Sequence, residues 1–346
     1  MTAPVAGAPA VLRSAPVSAP SPLAPVDLRA LRDAIRGEVI VEGDAAYDAT
    51  RGIHNTHFSK KPAVIVRPAD AIDVSRAVLT ARELGLELAV KSGGHSMAGF
   101  SATDGGLLLD MRSLNAVDID PIRWIGSAQG GATAGEYTMA AHTYGMATPF
   151  GDTLSVGLGG LTLGGGENML MARHGAVCDN VLATEIVLAD GRLVAANPRE
   201  HADLFWAIRG GGGNFGIVTR FEYQLFRLDS VLSGLFYFPV SRTADVLHVY
   251  RNVIAEAPDE LQTAGGLTGT PEGPAVIVAF CYCGVLALHN SLQPHAEGVY
   301  VNNLEDEGEA RVREAYGSNY ARLSRVKTQY DPRNVFHVNQ NIPPAD

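Results

Sequence analysis

Glycine is crowded into one stretch of this chain: 24 of its 38 glycines fall between Gly93 and Gly216. Glycine weakens helix and strand interiors, and it alone admits positive φ and close backbone approach cheaply. A surplus confined to about a third of 346 residues therefore points to backbone packed closely against something. The remaining composition, 46% hydrophobic and 18% charged, is enough to bury a core and excludes a disordered or fibrous chain. Lys and Arg number 27 against 37 Asp and Glu, a net charge of -10 with no basic run longer than Lys60-Lys61, so nucleic acid is excluded as a partner.

Cys178, Cys281 and Cys283 form an odd set with no CxxC unit, which fits neither a disulfide framework nor a zinc ribbon and suggests a reducing, cytoplasmic setting. Residues 1–26 are Ala/Pro-rich without a basic n-region and read as a flexible tail rather than a signal peptide. No window approaches the ~18 uninterrupted apolar residues of a membrane span, so no membrane association is expected.

Ala63 to Val66 reads as a strand, and the helical spacing from Ile72 to Leu84 predicts a helix stopped by Gly85. Leu86 to Val90 is a second strand that runs into Ser92-Gly93-Gly94-His95-Ser96. Leu107 to Met111 and Trp124 to Ala128 read as strands, and Ala134 to Tyr144 as a helix. Residues 151–166, GDTLSVGLGGLTLGGG, are too glycine-rich for a regular element and read as a loop wrapped on a ligand. Asp190-Gly191 signals a type I′ hairpin. A short helix over His201 to Ile208 and a long strand over Gly216 to Phe226 follow. Beyond Leu228 come an apolar stretch at Leu235 to Val240, a helix at Ala244 to Ala255 and a strand at Ala275 to Tyr282. A helical stretch to Pro294, a strand at Val299 to Val301 and a helix at Asn319 to Tyr330 complete the chain.

Several motifs fail on context. Gly211 to Gly216 satisfies GxGxxG, but a strand follows it instead of the helix that a dinucleotide site needs. Ser96 sits in Gly94-His95-Ser96-Met97-Ala98-Gly99, one residue too long for a GxSxG elbow. His54-Asn55-Thr56-His57 lacks a carboxylate or Cys and the helical setting of zinc motifs, so it reads as loop and no metal is expected. Cys281 and Cys283 fall on one face of a strand, where free Cys is ordinarily a small buried hydrophobe. Ser92 to Ser96 reads either as an anion-binding nest of backbone N–H groups or as an ordinary turn with a solvated His.

Taken together, SGGHS after the strand–helix–strand unit, GDTLSVGLGGLTLGGG, GGGGNFGIVT entering a strand, and the ending NYARLSRVKTQYDPRNVFHVNQNIPP resemble the FAD-linked oxidases related to berberine bridge enzyme and 6-hydroxynicotine oxidase. The similarity covers about residues 45–228 and 298–344. It implies an α+β chain: a two-part α/β FAD-binding domain of the vanillyl-alcohol-oxidase type plus an antiparallel-sheet substrate domain covering the ring. The boundaries expected are a tail at 1–26, the FAD-binding domain at 27–228, a shortened substrate domain at 229–315 and a return to the FAD-binding domain at 316–346.

The resemblance also implies roles. His95 would be joined covalently to the 8α-methyl of FAD, with Ser92, Gly93, Gly94 and Ser96 giving N–H groups to the pyrophosphate. Thr153 stands where some members have a second linking Cys, so a single link is expected. Gly151, Thr153, Gly157, Gly159 and Gly160 would line the flavin, and Val156 would leave oxygen a path to it. Gly216, Ile217 and Val218 match the segment passing the adenine, and Asn339 and Asn341 the return to the isoalloxazine. Tyr300 of Tyr300-Val301-Asn302 matches the substrate base.

Two departures stand out. Asn168 replaces the last glycine of a GGGxG pattern and is tolerable there in the left-handed region. Against the family's usual length, on the order of a hundred residues are absent between Cys283 and Tyr300, a large part of an ordinary domain. The expected activity is an FAD-dependent oxidase that takes hydride from an alcohol or amine C–H of a small-molecule substrate, with molecular oxygen as acceptor giving hydrogen peroxide. The alternative is a catalytically impaired flavin-binding remnant. Such a shortened sheet exposes an edge and an apolar face, so self-association into a homo-oligomer is expected.

Overall fold

The computed structural model describes residues 25–228, 231–271, 273–283 and 309–345. Among these the strands form four sheets. The first unit holds helix α1 (Pro25–Ala34), strand β1 (Glu38–Ile40), helix α2 (Tyr47–Arg51), strand β2 (Val64–Arg67), helix α3 (Ala71–Leu84) and strands β3 (Leu88–Lys91) and β4 (Leu107–Asp110). Asp70 caps α3 by accepting from the N–H groups of Ile72 and Asp73, and Gly85 closes it at φ 64°. The sheet order is β1-β2-β4-β3, with β2, β4 and β3 parallel. The last strand in sequence is thus inserted between the two that flank α3.

The second unit contains β5 (Val117–Asp120), β6 (Ile125–Gln129), α4 (Ala134–His142), β7 (Met146–Ala147), α5 (Leu158–Leu163), α6 (Met171–His174), β8 (Val181–Val187), β9 (Leu193–Ala196), α7 (Ala202–Ile208), β10 (Ile217–Gln224) and β11 (Phe226–Arg227). Its antiparallel sheet runs β5-β6-β10-β8-β9, and β7 pairs with β11 apart from it. Thr133 and Glu136 form a reciprocal capping box that starts α4. Helix α3 joins the two units: Val74, Ala77, Val78 and Ala81 are buried in one cluster with Val187 and Ile217. Ser75 Oγ donates to the Gly191 carbonyl at 2.5 Å, and Arg82 Nη1 to that of Ala189 at 2.6 Å.

The third unit is a smaller antiparallel sheet, β12 (Leu232–Pro239), α8 (Thr243–Ile254), β13 (Leu261–Thr270) and β14 (Gly273–Tyr282), in the order β12-β14-β13. Helix α8 covers one face, meeting Phe236, Phe238, Val278 and Phe280 across an apolar groove. Helices α9 (Glu309–Tyr316) and α10 (Tyr320–Tyr330) then return to the second unit, where Tyr320, Leu323 and Val326 are buried with Leu204 and Ile208 of α7.

Three local expectations are corrected. The glycine-rich segment 151–166 is not all loop, because Leu158–Leu163 forms a helical turn anchored by Leu158 and Thr162, both buried. The β8–β9 hairpin exists, but its last pair is Val187 with Leu193 and only Gly191 has positive φ, so the turn is a longer one than type I′. Asn168 has no positive φ. Its side chain instead accepts from Leu170 N–H at 2.8 Å and donates to the Gly175 carbonyl at 3.1 Å. The expected helix before Pro294 and strand at Val299 to Val301 lie outside the described residues. No helix among the described residues is long and apolar enough to cross a membrane.

Candidate functional site

Strand β3 delivers its last residue, Lys91, and then the turn Ser92 to Ser96 at the carboxyl end of the parallel strands, the usual ligand edge of such sheets. Gly94 has φ 77°, a turn that an L side chain would strain. Ser92 Oγ donates to the Gly130 carbonyl at 2.8 Å and accepts from Gly159 N–H at 3.3 Å, so this hydroxyl ties the turn to the second unit. Residues 156–158 pair with 132–134: Ala134 N–H donates to the Val156 carbonyl and Leu158 N–H to that of Ala132, at 2.9 and 2.8 Å. The start of α5 is thereby held beside Gly93.

A third glycine segment closes the site. Gly210 N–H donates to the Leu163 carbonyl at 3.0 Å, placing the turn at 210–214 beside the end of α5. Asn214, fully buried, donates from Nδ2 to the carbonyls of Gly211 and Gln340 and accepts at Oδ1 from Ile342 N–H. The C-terminal segment thus lies along the turn. Lys327 and Asp331 reinforce it: the ammonium donates to the Asn214 carbonyl, the Phe336 carbonyl and the Asp331 carboxylate, at 2.6, 2.9 and 2.6 Å. Both side chains are fully buried, and burial holds the lysine pKa below its ordinary value.

These segments enclose a cleft of ≈ 490 Å³. The structure brings Ser92, Gly93, Gly94, His95, Ser96, Thr153, Val156, Gly157, Gly159, Gly160, Gly216, Ile217, Val218 and Asn339 onto its wall. Gly151 and Asn341 lie beside it without lining it, and Tyr300 lies outside the described residues. Sequence reasoning missed Gly130, Phe100, Asn214, Phe336 and Gln340. Only the three residues inside the quoted motifs, Asn214, Phe336 and Gln340, stood where a signal existed. No lining residue belongs to the β12-β14-β13 sheet.

The wall has room and a free polar atom for a bound group. A Cβ on Gly160 would meet no protein atom within 4 Å, so the wall is bare where it faces the cleft. Asn339 Oδ1 is buried without a partner in the described residues. His95 is half-buried, its Nε2 3.0 Å from Ser155 Oγ. Burial first and then the nearby His54 hold its pKa below the ordinary imidazole value. Lys91, 1% exposed, donates to the carbonyls of Thr50 and Gly52 at 2.7 and 2.5 Å. Burial pushes its pKa down to about 8.

Residues 62–197 match the family model described as FAD binding domain, and residues 299–343 match the one described as Berberine and berberine like. The chain belongs to the FAD-binding, berberine bridge enzyme-like family. The chain is 35% identical over 250 residues to (R)-6-hydroxynicotine oxidase of Paenarthrobacter nicotinovorans, covering 71% of this chain and 54% of that one. It is 38% identical over 175 residues to xylooligosaccharide oxidase of Thermothelomyces thermophilus, covering 50% and 35%. The chain spans about half the length of the curated relatives it matches. In fold it is similar to 6-hydroxy-D-nicotine oxidase of Arthrobacter nicotinovorans, with a TM-score of 0.82 at 24% identity over 90% of this chain and 98% of that one. Chitooligosaccharide oxidase gives 0.79 at 19% identity over 92% and 100%.

Proposed function

We infer that this chain is an FAD-dependent oxidase of small molecules, with FAD held covalently through His95 alone. The observation that carries the reading is the convergence of three glycine segments and the C-terminal return on one cleft with His95 in its wall. FAD, when bound, supplies the acceptor for a hydride from an alcohol or amine C–H and passes the electrons to dioxygen, giving hydrogen peroxide.

The protein's part is to hold, orient and deprotonate. Ser92, Gly93, Gly94 and Ser96 present backbone to the pyrophosphate, and Thr153, Gly157, Gly159 and Gly160 present it to the ring system. Val156, on the cleft wall, leaves dioxygen an approach. Tyr300 takes the proton from the substrate hydroxyl or amine; a phenol is a weak base at neutral pH, so a neighbouring charge or hydrogen bond has to activate it. We read residues 27–228 and 316–346 as the flavin-holding part, 229–315 as the shortened substrate domain, and the setting as cytoplasmic, in keeping with three free, buried cysteines.

The test is acid precipitation of purified protein followed by a spectrum of pellet and supernatant. A yellow pellet in the wild type and a colourless one in His95→Ala are expected, and flavin wholly in the wild-type supernatant removes the covalent link. Peroxide release is then followed with oligosaccharides, N-heterocyclic amines and alcohols. Release that Tyr300→Phe lowers about 10²–10⁴-fold is expected, whereas no release from flavin-loaded protein on any substrate identifies a binding remnant.

A further inference from the structure

The segment His54-Asn55-Thr56-His57 has no part in the reading above, yet it lies against the residue on which that reading turns. The rings of His54 and His95 stack with centroids 4.3 Å apart and planes 18° from parallel. Several contacts build this stack. His54 N–H donates to the Gly94 carbonyl at 2.9 Å, and Asn55 Nδ2 to that of Met97 at 2.9 Å, so the segment grips both sides of His95. Lys91 pins the approach through the carbonyls of Thr50 and Gly52. On the opposite flank Ser155 Oγ holds Nε2. One face of the His95 ring is thus covered and one of its nitrogens held.

We propose that His54 is a positioning residue for attachment of FAD to His95, holding the imidazole in the orientation from which it bonds the 8α carbon. This rests on the covalent reading above. Overall the attachment forms one C–N bond and breaks one 8α C–H and one imidazole N–H; dioxygen takes the two hydrogens, as two electrons and two protons, and leaves as hydrogen peroxide. The attacking group is an imidazole lone pair, so His95 must be neutral. The groups facing its ring are His54 from the 52–58 segment and the uncharged Ser155 from the 151–157 loop, while the Lys91 ammonium is turned to Thr50 and Gly52. Burial keeps His95 neutral first, and repulsion from a protonated His54 adds to it. His54 itself is exposed, so replacing it removes the stack without opening the core.

The experiment uses full chain expressed without flavin, then mixed with FAD in air. Covalent mass gain is followed over time in the wild type, His54→Ala and His54→Phe, with the His95 titration read by NMR in the flavin-free proteins and non-covalent FAD binding by fluorescence. His54→Phe keeps a stacked ring and is expected to attach FAD near the wild-type rate. His54→Ala is expected to bind FAD normally, attach it about ten- to a hundredfold more slowly, the scale on which misplacement by an ångström acts, and titrate His95 at higher pH. A wild-type rate and unchanged His95 titration in His54→Ala overturn the inference, as does a His54→Phe chain as slow as His54→Ala. A wild type that gains no flavin mass overturns the covalent reading itself, whereas a wild-type adduct with an indifferent His54→Ala overturns only this step.

Discussion

Gly93 and Gly157 approach so closely that a Cβ built on either would fall on the backbone nitrogen of the other. The first comes from the turn after β3 and the second from the start of α5, so this contact is the seam between the two halves of the cleft. No side chain fits in it, and interiors packed to crystal-like density relax little.

The seam and the open wall answer differently to added atoms. Gly157→Ala meets backbone atoms of Gly93 and the Ser92 hydroxyl, so the halves separate and stability falls by about 1–3 kcal/mol, the usual cost of overpacking. Gly160→Val meets no protein atom within 4 Å. It sits in a short helical turn that tolerates it at a few tenths of a kcal/mol, yet its side chain projects into the cofactor's space. Thermal melts and flavin content are expected to diverge: a lower Tm for Gly157→Ala, and a near-normal Tm with lost flavin for Gly160→Val. Flavin-replete Gly160→Val contradicts the assignment of this wall.

Lys327→Met leaves the Asp331 carboxylate buried with only the N–H groups of Val335 and Phe336 for company. Removing one partner of a buried pair costs about 3–5 kcal/mol. Because the same ammonium holds the carbonyls of Asn214 and Phe336, denaturant melts of this variant should be accompanied by loss of flavin. A variant within 1 kcal/mol of the wild type, taking ~1 as the weight of an exposed pair, would falsify the clamp.

Lys91 makes stability depend on pH in the alkaline range. Its folded pKa of about 8 lies below the ordinary 10.5. Below pH 8 both states are protonated; between the two values the native state has released the proton and the unfolded chain still holds it, so folding gains stability as pH rises. The stability of the wild type relative to Lys91→Met should therefore climb by roughly 2 kcal/mol between pH 8 and 10. A flat difference across that range rules out a charged, buried Lys91 at neutral pH.

Leu235 and Tyr237 of β12 are 54% and 56% exposed on the face away from α8. Apolar, unpaired sheet surface of this kind associates. Light scattering should report oligomers at tens of micromolar protein, reduced by Leu235→Lys with Tyr237→Lys. A monodisperse wild-type monomer shows that this face is compatible with water.

Where local chemistry decides, the sequence was legible: Gly85 ends α3 with positive φ, and the β2–α3–β3 unit is where its apolar spacing put it. What depends on distant partners was not. Insertion of β4 between β2 and β3 is a matter of long-range pairing, and β13 was hidden by Gly265, Gly266 and Gly269. Leu158–Leu163 escaped notice because its helical turn is imposed by packing against propensity. In the cleft, glycines announced themselves through composition, but the His54–His95 stack brings together residues that no local spacing relates. Asn168 satisfied its position through side-chain hydrogen bonds where backbone conformation had been the expectation.

The cleft's last wall comes late in the chain. Gln340 meets Asn214 across 126 residues of sequence, and Val338, Asn339 and Gln340 complete the enclosure begun at His95. During synthesis at ~5–20 residues per second, the turn bearing His95 leaves the ribosome well before its opposing wall exists. A cleft able to enclose a cofactor therefore exists only once residues 338–340 have been made and have packed against the turn at Asn214.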